Sequence, residues 1–389
     1  MQSISLRRLS NSRSRLFSSK TFLTLFLLSA FLLPLSRGTA QIKPDLTPPG
    51  GGGGKGSGGG GTTPTYTLDF SAPVSQPQIE IGGAPARMGV GAVVFKGSIY
   101  AAWIASDTGA NGNIVIGSNS AGGSDYPAVA VLDSAGHNFQ SSGNPALAVL
   151  DGRLYLAAVD SFGNASFITS IDGKTWSNEI GCGDGFTGSA TLAAFRGQMY
   201  MALEKTTDQS LTLCVIPDQS LVSPPLPTTQ NFPSILQNFV SGMTVFSPSS
   251  GIPILYIAYA TNGNSHDIYY YTTTDGVNFI YSTAAAADQS STTISLASHN
   301  GVLYMAFRSN DGDHNLLYKY STDGASWSSN IQVAGNQMAG PPALVTTSAT
   351  ATDPSYMPGP FDGTAKTGDL FNLYVANDSS QVLWTQFTP

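Results

Sequence analysis

The sequence predicts an all-β fold: a β-propeller of six four-stranded blades, its ring closed by an N-terminal strand, with five or seven blades as the alternatives because the third repeat and the region 119–140 are irregular. Three observations carry this. Gly, Ser, Thr and Asn are abundant while only three glutamates occur, Glu80, Glu179 and Glu204, a composition of strands and turns rather than helices. A tyrosine-centred phrase returns six times, and a turn built on Asp-Gly returns three times. A period near 50 residues made wholly of strand belongs to propeller blades, small sheets arranged around an axis.

The tyrosine phrase is a turn, an aliphatic residue, Tyr, and an Ala-containing apolar stretch. It reads Gly97-Ser98-Ile99-Tyr100-Ala101-Ala102-Trp103, then Gly152-Arg153-Leu154-Tyr155-Leu156-Ala157, then Gly197-Gln198-Met199-Tyr200-Met201-Ala202. It continues as Ile254-Leu255-Tyr256-Ile257-Ala258, Gly301-Val302-Leu303-Tyr304-Met305-Ala306 and Leu373-Tyr374-Val375-Ala376, with tyrosines 55, 45, 56, 48 and 70 residues apart. Before the turn lies a segment of small residues, as at 89–95, 145–150, 188–195, 292–297 and 341–345. Small side chains suit an innermost strand, where blades crowd the axis. The tyrosine segment suits a second strand, apolar on both faces because blades pack on both sides. The sixth copy leaves little chain for a fourth strand, so residues 66–70 are expected to pair into the last blade.

The second motif joins the third strand to the outer one. It reads Ser170-Ile171-Asp172-Gly173-Lys174-Thr175-Trp176, Thr273-Thr274-Asp275-Gly276-Val277-Asn278-Phe279 and Ser321-Thr322-Asp323-Gly324-Ala325-Ser326-Trp327. Asp-Gly between apolar strands is a hairpin signature: Gly accepts positive φ and Asp accepts nearby backbone N–H groups. Asp133 to Phe139 looks like a stretched copy, and the third repeat carries a proline-rich insertion around 223–233 instead.

These hairpins resemble the Asp-box (BNR repeat) of sialidase-like propellers, across about residues 89–389, although Asp and Gly adjoin here where the usual box has one residue between them. The resemblance implies that Asp172, Asp275 and Asp323 are structural and lie on the face away from any active site. It also implies what an active member needs: an arginine triad, a tyrosine nucleophile with a glutamate, and an aspartate acid/base. The region from 66 onward has four arginines, Arg87, Arg153, Arg196 and Arg308, and only Arg308 ends a second strand. The expected member is therefore divergent or non-catalytic.

Residues 1–40 read as a signal peptide: Arg7, Arg8, Arg13, Arg15 and Lys20 precede an apolar run over 22–35, and Gly38-Thr39-Ala40 supplies a cleavage site. Residues 41–65 read as a glycine-rich flexible linker, and residues 66–389 as the propeller domain. The expected location is therefore extracellular or at the cell surface, with no membrane insertion of the mature domain. After cleavage, 11 Lys+Arg remain against 24 Asp+Glu, a net −13, which argues against nucleic acid as a partner. The two cysteines, Cys182 and Cys214, either pair or sit as separate buried thiols; spacing does not decide between these.

Candidate site residues come from the loops between second and third strands. Asp107, Asp160, Glu204, Asp267, Asp311, Asp313 and Asp378 lie there, with Arg308 beside them and Trp103 as a stacking face. One reading is a rim for a polyhydroxylated ligand or a divalent cation; the other is that Asp is common in polar turns. His266 and His314 occupy the same position in adjacent repeats. They are candidate ligands for a metal, though two histidines do not complete a zinc site; otherwise they are neighbours produced by repetition. No other cofactor is implied. The reading favoured is a monomeric carbohydrate or surface-polymer binding module. The alternatives are a divergent sialidase-like glycoside hydrolase, which predicts two or more arginines and a Tyr/Glu pair at the channel, and a structural or adhesive surface protein.

Overall fold

The computed structural model of the protein describes residues 89–105, 112–118, 128–248, 251–261, 265–282, 288–346, 370–375, 377 and 382–387. The expected signal, linker and closing strand at 66–70 lie outside the described residues. Five antiparallel sheets form an all-β propeller. The first holds β1 (Gly91–Phe95), β2 (Ser98–Ile104), β3 (Gly112–Ser118) and β4 (Val129–Ala130), with β5 (Gln140–Ser141) also paired to β3. The second is β6 (Ala146–Leu150), β7 (Arg153–Val159), β8 (Ala165–Ser170) and β9 (Ile180–Gly183). The third has seven strands: β10 (Phe186–Phe195), β11 (Gln198–Lys205), β12 (Ser210–Pro217), β13 (Thr228–Phe246), β14 (Ile254–Thr261), β15 (Ile268–Thr273) and β16 (Ile280–Ser282). The fourth is β17 (Ser295–His299), β18 (Val302–Arg308), β19 (Asn315–Ser321) and β20 (Ile331–Gln337). The fifth is β21 (Ala343–Thr346), β22 (Leu370–Val375) and β23 (Val382–Phe387).

The expected six blades are thus five, and the continuity of β13 is the reason. Its first part pairs with β12 through Phe232 and Leu236, and its second part pairs with β14 from Gln237 to Phe246. One strand is therefore the last of one tyrosine repeat and the first of the next. The pairing with β12 shifts register between Phe232 and Leu236, around Pro233, where a residue without an N–H is tolerated.

Period-two alternation decides which side chains meet across the sheets. Tyr100 packs with Leu154, Ile168 and Trp176 between the first and second sheets, and Tyr155 with Met199, Met201 and Cys214 between the second and third. Tyr200 meets Leu255 and Ile257 in the crease of the third sheet. Tyr256 meets Leu303 and Met305, and Tyr304 meets Leu344. Val94, Ile99 and Trp103 of the first sheet meet Val345, Leu373 and Val375 of the fifth, so side-chain packing joins the ends of the ring. Each fully buried large apolar side chain contributes about 1.5–3 kcal/mol.

The sixth tyrosine is out of phase. Ala343 pairs with Leu373, as Ala297 pairs with Tyr304, so Leu373 holds the tyrosine position and faces the first sheet. Tyr374 faces backward, into the cluster with Tyr304 and Tyr318. A one-residue step exchanges the two faces of a strand.

A covalent tie and a buried ion pair are among the links made outside the apolar core. Cys182 of β9 and Cys214 of β12 form a disulfide with Cα atoms 6.0 Å apart, which settles the two readings of the cysteines. Asp288, ahead of β17, forms a buried ion pair with Lys319 of β19 and accepts a 2.6 Å hydrogen bond from Asn330 Nδ2.

Candidate functional site

The sheets present two ends. At one lie the third-to-fourth-strand hairpins. At the other, which we call the mouth, second strands end beside the start of inner ones: Glu204 pairs with Thr187, Ala102 with Gly91 and Ala306 with Ser295.

In the three Asp-Gly hairpins the Asp carboxylate is occupied by its own turn. Asp172 Oδ1 accepts from the backbone N–H groups of Lys174 and Thr175, both at 2.8 Å, and the Thr175 hydroxyl donates to Oδ2. Asp275 accepts from Val277 N, Asn278 N and Asn278 Nδ2. Asp323 accepts from Ala325 N, Ser326 N and Ser326 Oγ. The preceding Ser170, Thr273 or Ser321 donates its hydroxyl to the same Asp and accepts from the Gly N–H. These bonds hold all three carboxyls well below the usual range, the Thr175 hydroxyl being the largest cause at Asp172, and backbone donors at Asp275 and Asp323. The glycines have φ of +73°, +79° and +76°. A Cβ on Gly173, Gly276 or Gly324 would strike Tyr100, Tyr200 or Tyr256 of the preceding repeat. The two sequence motifs are therefore halves of one contact between repeats. After β12 of the third sheet, where no Asp-Gly turn stands, Gln219 N instead donates to Tyr155 Oη of the second sheet at 2.9 Å.

Along the axis runs a cavity of about 470 Å³, lined by the inner strands from Val90 on β1 round to Thr346 on β21. Among the described residues its lining carries no charged side chain and no tyrosine. The arginine cluster and Tyr/Glu pair expected of a sialidase-like site are not in it.

At the mouth, one position distinguishes the repeats. Four residues past each aligned tyrosine stand Ile104, Val159, Glu204, Ala260 and Arg308. Ile104, Val159 and Ala260 are buried and apolar; Glu204 and Arg308 break the pattern. Glu204 shares the face of Tyr200 and Ala202 and is 6% exposed. Burial alone raises its carboxyl to about 7, which marks it as a functional candidate. Arg308 shares the face of Tyr304 and Ala306. Its Nη1 donates to the carbonyl of Ala339 at 2.6 Å, its Nε is buried without a partner, and burial lowers its pKa.

The other expected site residues fall elsewhere or serve the turns. Trp103 is fully buried between the first and fifth sheets. It packs in the core and offers no stacking face. Asp107 and Asp378 lie outside the described residues. Asp160 accepts from Phe162 N, Asn164 N and Asn164 Nδ2. Asp311 accepts from Ser309 Oγ and Asp313 N. His266 and His314 have φ of +50° and +55°, as do Gln209 at +58° and Gly163 at +83° in equivalent places. These left-handed residues start third strands, and His is among the residue types that tolerate that backbone. The carbonyls of Gly163, His266 and His314 accept from the incoming strands at Phe186, Ser290 and Met338. His266 Nδ1 lies 3.2 Å from Asn310 Oδ1. Among the described residues no group of three or more His, Cys, Asp or Glu side chains is placed to hold a metal ion, and no helix is long and apolar enough to cross a membrane.

No protein-family model matches the sequence, and a search of curated proteins finds no relative. Solved structures do share its fold. A neuraminidase-like protein from A/bat/Guatemala/164/2009 superposes with a TM-score of 0.53 at 7% identity, over 82% of this chain and 93% of that one. AofleA from Arthrobotrys oligospora gives 0.53 at 9% identity, over 80% and 84%. The exo-β-1,3-galactanase 1,3Gal43A from Clostridium thermocellum gives 0.42 at 14% identity over 65% of this chain, which spans 60% of that protein's length. The chain is thus a β-propeller of the architecture seen in the neuraminidase-like protein.

Proposed function

We propose that this propeller is an exported, non-catalytic carbohydrate-binding module that takes a glycan or another polyhydroxylated surface polymer at its mouth. One observation carries the reading. Repetition supplies buried apolar residues at the end of the second strand, and the chain departs from it with Glu204 and Arg308. A buried carboxyl raised to about 7 and a guanidinium with a buried, unpartnered Nε both cost stability unless a ligand uses them. A sugar hydroxyl suits the first, and a carboxylate or ring oxygen suits the second. The uncharged cavity lining supports binding over sialidase-like hydrolysis, which needs an arginine cluster. The Asp-Gly hairpins act as structural Asp-boxes, and the signal at residues 1–40 sends the chain out of the cell.

The test is a glycan array probed with the secreted full chain, alongside a fluorogenic sialoside. Saturable glycan binding that weakens at least tenfold in both Glu204→Gln and Arg308→Ala is expected. Turnover of the sialoside replaces this reading with the hydrolase, and no binding to any glycan replaces it with the structural role.

A further inference from the structure

The loop between β12 and β13, which stands where other repeats have an Asp-Gly hairpin, shares their Asp-centred base but continues into a longer, exposed, proline-rich segment. Its base is fixed. Ser220 N and Oγ donate to the Asp218 carboxylate at 2.8 and 2.6 Å, Gln219 N donates to Tyr155, and Gln219 Nε2 donates to the Pro217 carbonyl. Beyond Ser220, no hydrogen bond among the described residues involves 221–227. The segment reads Leu221-Val222-Ser223-Pro224-Pro225-Leu226-Pro227. Leu221 is 52% exposed, Val222 104% and Leu226 82%. A hollow of about 400 Å³, lined by Gly197, Gln198, Val215, Leu221 and Leu226 among others, lies beside it. The loop therefore gains little from packing on its own sheet.

Three large apolar side chains held in water within six residues mark a surface meant to be covered. The prolines say by what. Each fixes its own φ near −65° and lacks an N–H, and each pushes the residue before it toward extended or polyproline II backbone. Ser223, Pro224 and Leu226 all precede a proline. Residues 223–227 are thus biased as one run toward a polyproline II helix with solvated carbonyls. Such a segment binds at low entropic cost in grooves lined by aromatic side chains, where proline rings slot between the aromatics.

We propose that residues 221–227 are a docking element for a partner protein bearing an aromatic-lined groove that recognises polyproline II segments. The element lies on the hairpin end, opposite the mouth, so the two sites operate independently. The repeat at this position would otherwise close with a short polar turn, as Asp172, Asp275 and Asp323 do.

The experiment titrates the secreted full chain against isolated WW, SH3 and EVH1 domains as groove probes, by surface plasmon resonance. Saturable binding to at least one is expected. A Pro224→Ala/Pro225→Ala/Pro227→Ala variant should weaken it at least tenfold while leaving thermal unfolding within about 2 °C and glycan binding unchanged. Leu226→Ser, at an exposed position, is the second variant and should weaken it at least threefold without any effect on folding. Absence of saturable binding to all three probes overturns the proposal, as does a triple variant that binds like the parent. A dimer in sedimentation velocity that the same substitutions dissolve assigns the loop to a second copy of this chain and also overturns it.

Discussion

The hairpin end and the mouth are built from the same repeats, yet they use their polar residues in opposite ways. At the hairpin end, each Asp is saturated by donors from its own turn, and each Gly is pressed against a tyrosine of the preceding repeat. The three Asp-Gly turns have no carboxylate oxygen left to offer a ligand. At the mouth, Glu204 is buried with no favourable interaction offsetting its desolvation, and Arg308 carries a buried Nε with no partner. The difference teaches how to read a repeat protein. A polar residue in register with its copies is accounted for by the fold, and one that breaks register calls for another account.

Substitutions that attack the ties between repeats should have the largest effects. Replacing Cys182 and Cys214 with Ala removes a crosslink closing a 32-residue separation and should cost about 3–4 kcal/mol in urea unfolding. Gly324→Ala forces a Cβ onto the Tyr256 hydroxyl at φ +76° and should cost about 3 kcal/mol, combining backbone strain with overpacking. Gly301 has nearly the same φ, +74°, but open space around it, so Gly301→Ala should cost only about 1 kcal/mol. The gap between these two glycines isolates the contact between repeats from the backbone effect. Equal costs would break the comparison.

The mouth should respond in the opposite direction. The folded pKa of Glu204, about 7, lies above its ordinary 4.5. The native state therefore holds a proton that the unfolded chain releases between those values. Stability from this group is complete below pH 4.5, declines as pH rises, and is lost above pH 7. Glu204→Gln should accordingly stabilise the protein by about 1–2 kcal/mol at pH 8, after allowance for solvent screening, and change little at pH 4. Thermal unfolding of both proteins at the two pH values checks this. The hairpin aspartates, with lowered pKa values, keep their contribution above pH 3.8 and lose it only as pH falls further.

Much of the fold was legible because repetition writes it several times over. The tyrosine strands, the small inner strands and the Asp-Gly turns all form where their residues imply. What was not legible depended on neighbours distant in sequence. The continuity of β13 through Pro233 joined two repeats that turn signals had separated. The role of the tyrosines emerged only once the next repeat's glycine stood against them. Trp103 lies three residues past Tyr100, hence on the opposite face of β2, which period-two counting assigns to the fifth sheet rather than to a ligand. The histidines shared a position because the turn shared a backbone. Glu204 and Arg308 were among the candidates, but what sets them apart is the apolar residue that other repeats carry in their place.

The division between a structural end and a binding end is tested most directly by crossing the two properties. Glycan binding and thermal stability would be measured together on Arg308→Ala and Asp323→Ala. Arg308→Ala should lose at least tenfold in glycan affinity with its melting temperature no lower than the parent's, while Asp323→Ala should melt lower and bind as the parent does. Binding that survives Arg308→Ala and disappears in Asp323→Ala with its fold intact would contradict the account.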